Sequence, residues 1–80
     1  MKPTELIDKC LANPIHANCK KFLITLENGS NGKCTQVPNH RDITEVTEES
    51  GHNVLEGTSF RYVTFYDIST DTTTYFVQRN

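Results

Sequence analysis

The feature of this sequence that most constrains its fold is an alternating run of aromatic residues near the end of the chain. Six of the seven aromatic side chains lie between positions 60 and 76, and Phe22 is the only one elsewhere. Alternation of aromatic and β-branched residues with a period of two is typical of a strand, so we predict a strand over 59–68, a turn over 69–71 and a returning strand over 72–78. One face of the first strand would carry Phe60, Tyr62, Thr64 and Tyr66, and the other Arg61, Val63 and Phe65.

The first half of the chain predicts a helix and then another β-hairpin. Thr4 is a suitable N-cap, and the apolar residues at positions 6, 7, 10 and 11 form one helical stripe that Asn13-Pro14 ends. Residues 20–27 alternate with the period of a strand, and 33–37 would form its partner. The Gly- and Asn-rich segment 28–32 between them is typical of a tight turn.

Residues 39–58 allow two interpretations. Asp42-Ile43-Thr44-Glu45 has the form of a helix capping box. The same segment is rich in β-branched residues, which favour a strand, and we expect a strand or irregular segment over 42–48 followed by a loop. The sequence therefore predicts one α+β domain over 1–80, with an N-terminal helix packed on an antiparallel sheet of four or five strands built from two β-hairpins.

The charge of the chain argues against general nucleic-acid binding. The net charge is −2, divided as +2 over positions 1–40 and −4 over positions 41–80, whereas nucleic-acid binders carry a basic patch. The acidic excess centres on Glu45, Glu48, Glu49 and Glu56. A solvated acidic loop is the simpler interpretation, and a contact patch for a basic partner surface is the functional one.

Apolar segments and the cysteine count indicate the cellular compartment of the protein. No apolar run is long enough to span a bilayer, and residues 1–12 lack the apolar segment of a signal peptide. The cysteine count is three, an odd number that is unlike the disulfide framework of a small secreted domain. We therefore expect a soluble cytoplasmic protein without membrane contact, with Cys10, Cys19 and Cys34 all reduced.

No arrangement of residues in the sequence predicts an enzyme or a cofactor. The spacings among the cysteines and among His16, His40 and His52 match no common zinc signature. Cys34, His40 and Asp42 have the residue types of a thiol triad, but their spacing does not place them together. Asn28 to Lys33 lacks the spacing of a phosphate-binding loop and is better explained as a hairpin turn.

The aromatic strand suggests a binding surface, because one helix covers only one face of a sheet. An exposed aromatic face usually marks a partner site, although residues 39–58 could instead fold over the sheet and bury it. We predict a non-enzymatic protein-binding module, an inhibitor or adaptor such as a phage or mobile-element anti-defence protein, with possible homodimerisation through a sheet edge. The alternatives are a nucleic-acid accessory protein, with its contact through Lys20, Lys21, Lys33 and Arg41, and a small metal or thiol protein. The predicted partner contacts are Phe60, Tyr62, Tyr66, Glu45, Glu48 and Glu49.

Overall fold

A computed structural model describes residues 3–27, 32–37, 41–50, 54–57 and 59–80. It confirms the α+β class and the two hairpins, which form one four-stranded antiparallel sheet with the order β2-β1-β4-β3. The elements in chain order are α1 Pro3–Leu11, β1 Lys21–Glu27, β2 Lys33–Gln36, α2 Ile43–Ser50, β3 Phe60–Asp67 and β4 Thr72–Arg79.

The N-terminal helix lies where the sequence predicts it, with one change at its start. Helix α1 begins at Pro3, because the fixed φ of proline suits a helix. A backbone N–H at the first helical position would have no partner within the helix, so proline loses no hydrogen bond there. Thr4 is therefore inside the first turn and is not the N-cap. Leu6 and Ile7 are the buried residues of the apolar stripe.

The register of the sheet confirms the predicted faces of the last hairpin. Val63 lies opposite Phe76, which lies opposite Leu23, so these three side chains form one row across the sheet. Tyr62 and its partner Val77 point to the other face, because side chains alternate along a strand. Asp71 closes the β3–β4 turn at φ 49°, a conformation that Asp tolerates better than most residues. Residues 28–31 of the first predicted turn lie outside the described residues.

The expected strand or irregular segment over 42–48 is wrong, because this segment is helix α2. The Asp42 carboxylate accepts a hydrogen bond from the backbone N–H of Glu45 at 2.8 Å, which is the N-cap bond that the capping box predicts. Ile43 is fully buried against the sheet, so tertiary packing outweighs the β propensity of its neighbours. The chain therefore has a second helix, and part of the predicted loop over 48–59 belongs to it.

The buried side chains form two clusters on opposite faces of the sheet. Helix α1 covers one face and helix α2 covers part of the other, so the sheet is the central layer. The α1 cluster contains Leu6, Ile7, Cys19, Phe22, Ile24 and Val77, and the α2 cluster contains Val37, Ile43, Val63 and Phe76.

The prediction that all three cysteines are reduced is also wrong. Cys10 of α1 and Cys34 of β2 form a disulfide, and Cys19 is the free thiol, buried in the α1 cluster. The two partners are 24 residues apart, and only the packing of α1 over the edge of the sheet brings them together. An odd cysteine count does not exclude a disulfide, because the third thiol is buried as a small apolar side chain.

Candidate functional site: a groove beside helix α2

The predicted aromatic contacts on β3 differ in their surroundings. Phe60 and Tyr62 are half-buried and pack against the α1 cluster. The Tyr62 ring meets the Tyr75 ring edge to face, with 6.2 Å between centroids. The Arg79 guanidinium lies 5.8 Å from the Phe60 ring centroid, over the ring. Tyr66 is 50% exposed, so it is the most exposed of the three predicted aromatic contacts.

The predicted acidic contacts lie on the other side of the sheet from these aromatics. Glu45, Glu48 and Glu49 are exposed residues of α2, whose buried side packs against the face that carries Val63 and Phe76. The six predicted contacts therefore form two separate surfaces rather than one site. Sequence reasoning could not show this, because it left open which face residues 39–58 would cover.

A groove opens where α2 leaves the second face of the sheet uncovered. We call it the α2 groove, and its volume is about 290 Å³. Its floor is apolar, and one rim is the side of α2. The lining residues are Leu23, Val46, Val63, Phe65, Thr74 and Phe76, with Arg41 and Glu49 at the margins.

Hydrogen bonds hold the start of α2 over one end of this face. Lys21 Nζ donates to the carbonyl oxygen of Arg41 at 2.6 Å, and Arg61 Nη2 donates to Thr44 Oγ1 at 3.2 Å. The Ile43 N–H also donates to Gln78 Oε1 at 3.5 Å. The sheet row of Lys21, Gln78 and Arg61 is therefore the one to which α2 is anchored.

Further along the same face of the sheet, the side chains of β3 become more exposed. Val63 is 1% exposed, whereas Phe65, two positions later on the same side of β3, is 48% exposed. Phe65 lies opposite Thr74, which lies opposite Thr25, so this row has one large apolar side chain at its β3 end, followed by two threonines. Phe65 was not among the predicted contacts, although the alternation of β3 already placed it on the face away from Tyr62 and Tyr66.

The hairpin tip at the end of β3 has its own hydrogen-bonded arrangement. Tyr66 donates its phenolic proton to Asp71 Oδ1 at 2.7 Å, and this bond is the main cause that raises the pKa of Tyr66. The Asp67 carboxylate accepts hydrogen bonds from the Ser69 hydroxyl and N–H, and these hold its pKa below the usual value. These contacts stabilise a turn in which Ile68 is 85% exposed.

The residues with catalytic or metal-binding chemistry do not form a site in the described part of the chain. Cys34 is bonded to Cys10, so in this structure it is not the free thiol that a triad requires. Within the ranges that the structure covers, no group of three His, Cys, Asp or Glu side chains could hold a metal ion. His40 and His52 lie outside those ranges.

A second cavity, of about 280 Å³, adjoins the disulfide between α1 and the sheet. Its walls include Cys10, Cys34, Lys9 and His16. His16, one of the histidines that the sequence analysis considered and did not assign to a metal site, therefore lines the same cavity as both bonded cysteines.

The predicted homodimer would require an accessible edge strand of the sheet. Val54 bridges Val63, and the Leu55 N–H donates to the Tyr62 carbonyl at 3.4 Å, so part of the outer edge of β3 is occupied. The opposite edge strand, β2, is only four residues long. Short and covered edges are ways in which proteins limit pairing between sheets, so neither edge favours a long intermolecular sheet.

Comparisons with known proteins give no relative for this chain. No family model matches it, and neither the curated proteins nor the solved structures contain a match. In the part of the chain that the structure describes, neither helix has the length and apolar character needed to cross a membrane.

Proposed function

We propose that this chain is a non-enzymatic protein-binding module that contacts its partner through the α2 groove. The observation that supports the proposal is the 48% exposure of Phe65 beside an apolar floor. Exposed apolar surface next to a pocket commonly marks an interaction site, and aromatic anchors supply much of the binding energy in such sites.

The groove replaces the aromatic face as the proposed contact surface. Half-buried Phe60 and Tyr62 already pack against the α1 cluster, so much of their surface is used within the fold. Glu45, Glu48 and Glu49 stay predicted contacts, because all three are exposed on the helix that forms one rim, and Glu49 also lines the groove. Tyr66 stays a predicted contact, at the hairpin tip and apart from the groove.

The biological role, the cellular location and the other binding partners of the chain are part of the same proposal. An inhibitor or adaptor role, including the anti-defence role of a phage or mobile element, rests on size and composition alone. Cytoplasmic location remains a prediction, and the Cys10–Cys34 bond removes one of its supports, because stable disulfides are typical of oxidising compartments. A homodimer and a nucleic-acid contact through Lys20, Lys21, Lys33 and Arg41 also remain predictions.

The test compares capture of host proteins by three immobilised chains: wild type, Phe65→Ser and Ile68→Ser. Ile68 is the matched control because it is an apolar residue with 85% exposure at the hairpin tip, outside the groove lining. We expect a stoichiometric partner that wild type and Ile68→Ser retain and Phe65→Ser loses at least tenfold. Equal capture by Phe65→Ser and wild type would overturn the groove as the binding site.

A thiol–disulfide protein is the second candidate, favoured by the position of Cys10 and Cys34 in a cavity wall beside Lys9 and His16. Solvent access and nearby positive charge favour exchange, because they admit a thiol and stabilise a thiolate. Equilibration in a series of glutathione buffers would measure the oxidised fraction. A bond that remains fully oxidised across the series would be structural and would remove this candidate.

A further inference from the structure

We propose that the Cys10–Cys34 disulfide is a redox-controlled lock on β2, and that its reduction releases this strand from the sheet while α1 and the other strands stay folded. This inference rests on the disulfide of the second candidate function and is independent of the α2 groove. Three features of the structure support it: the weak attachment of β2, the firm attachment of α1 and a cavity beside the bond.

Strand β2 is weakly attached to the rest of the fold. It is an edge strand of four residues, and β1 is its single neighbour in the sheet. The side chains of Lys33, Thr35 and Gln36 are exposed, whereas Cys34 is half-buried and packs against the α1 cluster. Val37, which follows the strand, is buried in the α2 cluster on the opposite face. On the α1 face, β2 is therefore attached to the core through Cys34.

The other cysteine lies on a helix that the core holds without the bond. Helix α1 buries Leu6 and Ile7 in the α1 cluster, where they are 4% and 0% exposed. Burial of two large aliphatic side chains is strongly favourable, so α1 should stay packed on the sheet when the bond is broken. Reduction therefore frees the strand rather than the helix.

The start of β2 covers apolar side chains of β1. Gly32 has a φ of 81°, and a Cβ at this position would lie 3.1 Å from Leu26 Cδ2 and 3.3 Å from Ile24 Cγ2. Cys34 lies directly opposite Ile24, which is 2% exposed. Release of β2 would therefore expose Ile24 and leave the backbone groups of β1 that face β2 without their partners.

A small thiol has access to the bond from the cavity of about 280 Å³ whose walls include both cysteines. The thiolate forms a new S–S bond to one cysteine as the Cys10–Cys34 bond breaks, and the other cysteine leaves as a thiolate and takes up a proton. A second thiol then displaces the protein sulfur from this mixed disulfide. The chain gains two thiols, and the two small-thiol groups are oxidised to a disulfide.

The hydrogen bonds of β1 provide a test with an internal control. The Lys21 carbonyl accepts a bond at 3.3 Å from the residue that follows β2, so the alternation of an antiparallel ladder directs the Leu23 N–H to β2. The Lys20 carbonyl accepts a bond at 2.9 Å from β4, so the same alternation directs the Ile24 N–H to β4. Leu23 and Ile24 are therefore adjacent amides that report on different strands.

Hydrogen exchange of both amides is followed by NMR in the labelled chain, oxidised and after reduction with dithiothreitol. Loss of the bond speeds exchange through global unfolding equally at both positions, so the ratio of their protection factors isolates local release. We expect reduction to speed exchange at Leu23 at least about tenfold relative to Ile24. Cys10→Ser/Cys34→Ser should show this ratio without reductant, and Cys19→Ala, which keeps the bond, should match wild type in both states.

Two outcomes would overturn the lock. An unchanged ratio would mean that the bond stabilises the domain as a whole, and a greater loss of protection in the last turn of α1 than at Leu23 would mean that it holds the helix instead. The glutathione measurement fails separately. A bond that glutathione leaves oxidised would remove the second candidate function, whereas a raised ratio in dithiothreitol and in Cys10→Ser/Cys34→Ser would still support the lock.

Discussion

At the scale of the residue, Tyr62 and Tyr66 show how the same side chain takes two roles on one strand. They lie four positions apart in β3 and point to the same face of the sheet, so the sequence pattern treats them alike. Their exposure differs because Tyr62 packs against the α1 cluster, whereas Tyr66 is not among the residues packed there. The sequence therefore predicted their face correctly but could not predict their exposure.

Replacing each tyrosine by alanine should give different losses of stability. Tyr62→Ala should lower the free energy of unfolding by about 2 kcal/mol, less than for a fully buried aromatic, because it removes a half-buried ring that contacts Tyr75. Tyr66→Ala should cost less than about 1 kcal/mol, as is usual at an exposed position. Chemical denaturation of both variants measures the difference, and equal losses would contradict the assigned environments.

The hydrogen bond from Tyr66 to Asp71 predicts an alkaline pH dependence. It raises the pKa of Tyr66 above the ordinary 10.0, so its stabilising contribution is complete below the unfolded pKa and is lost as pH rises through the folded pKa. Asp71→Asn should lower the Tyr66 pKa, because it removes a nearby negative charge. Ultraviolet titration of the phenols, with Tyr66→Phe to assign the signal, tests this, and an unchanged titration in Asp71→Asn would refute it.

At the scale of the element, α2 is where the sequence pattern and the structure diverge. The capping box favoured a helix, while local β propensity favoured a strand. The decisive factor is long-range: Val63 and Phe76, which follow Ile43 by 20 and 33 positions, belong with it to the α2 cluster. The hairpins were predictable because their signal is local, in the alternation of β3 and in the turn segments.

The N-cap of α2 gives a prediction on this element. Asp42→Ala should lower the free energy of unfolding by about 1 kcal/mol, because the Glu45 N–H loses its capping bond. Glu48→Ala is the matched control on the same helix, and it should cost little or raise stability slightly by removing an acid from the negative end of the dipole. Thermal denaturation followed by circular dichroism distinguishes them. A larger loss in Glu48→Ala would contradict this account of the helix charge.

At the scale of the whole molecule, two helices on opposite faces turn a small sheet into the middle layer of the domain. Because α2 spans only part of its face, the covered row at Val63 adjoins the uncovered row at Phe65. The sequence showed an excess of aromatic surface over what one helix can cover. It could not show where the uncovered surface would be, because that depends on how α2 is anchored by Lys21 and Arg61.

The disulfide is the covalent link between α1 and the edge strand β2. Its loss should lower the free energy of unfolding by roughly 3 kcal/mol, as expected for a loop of this length. Unfolding with and without reductant measures this, and a Cys10→Ser/Cys34→Ser variant should not respond to reductant. When the wild-type chain is unfolded without reductant, it should show one reactive thiol, that of Cys19. Three reactive thiols under the same conditions would contradict the disulfide.

The most direct test of partner binding through the α2 groove is hydroxyl-radical footprinting of the chain with and without its captured partner. Oxidation is read by mass spectrometry at Phe65 and at the control residue Ile68, which are 48% and 85% exposed in the free chain. Our account predicts that the partner protects Phe65 and leaves Ile68 reactive. Protection of Tyr66 and Ile68 with unchanged oxidation of Phe65 would place the interface at the hairpin tip and contradict the groove.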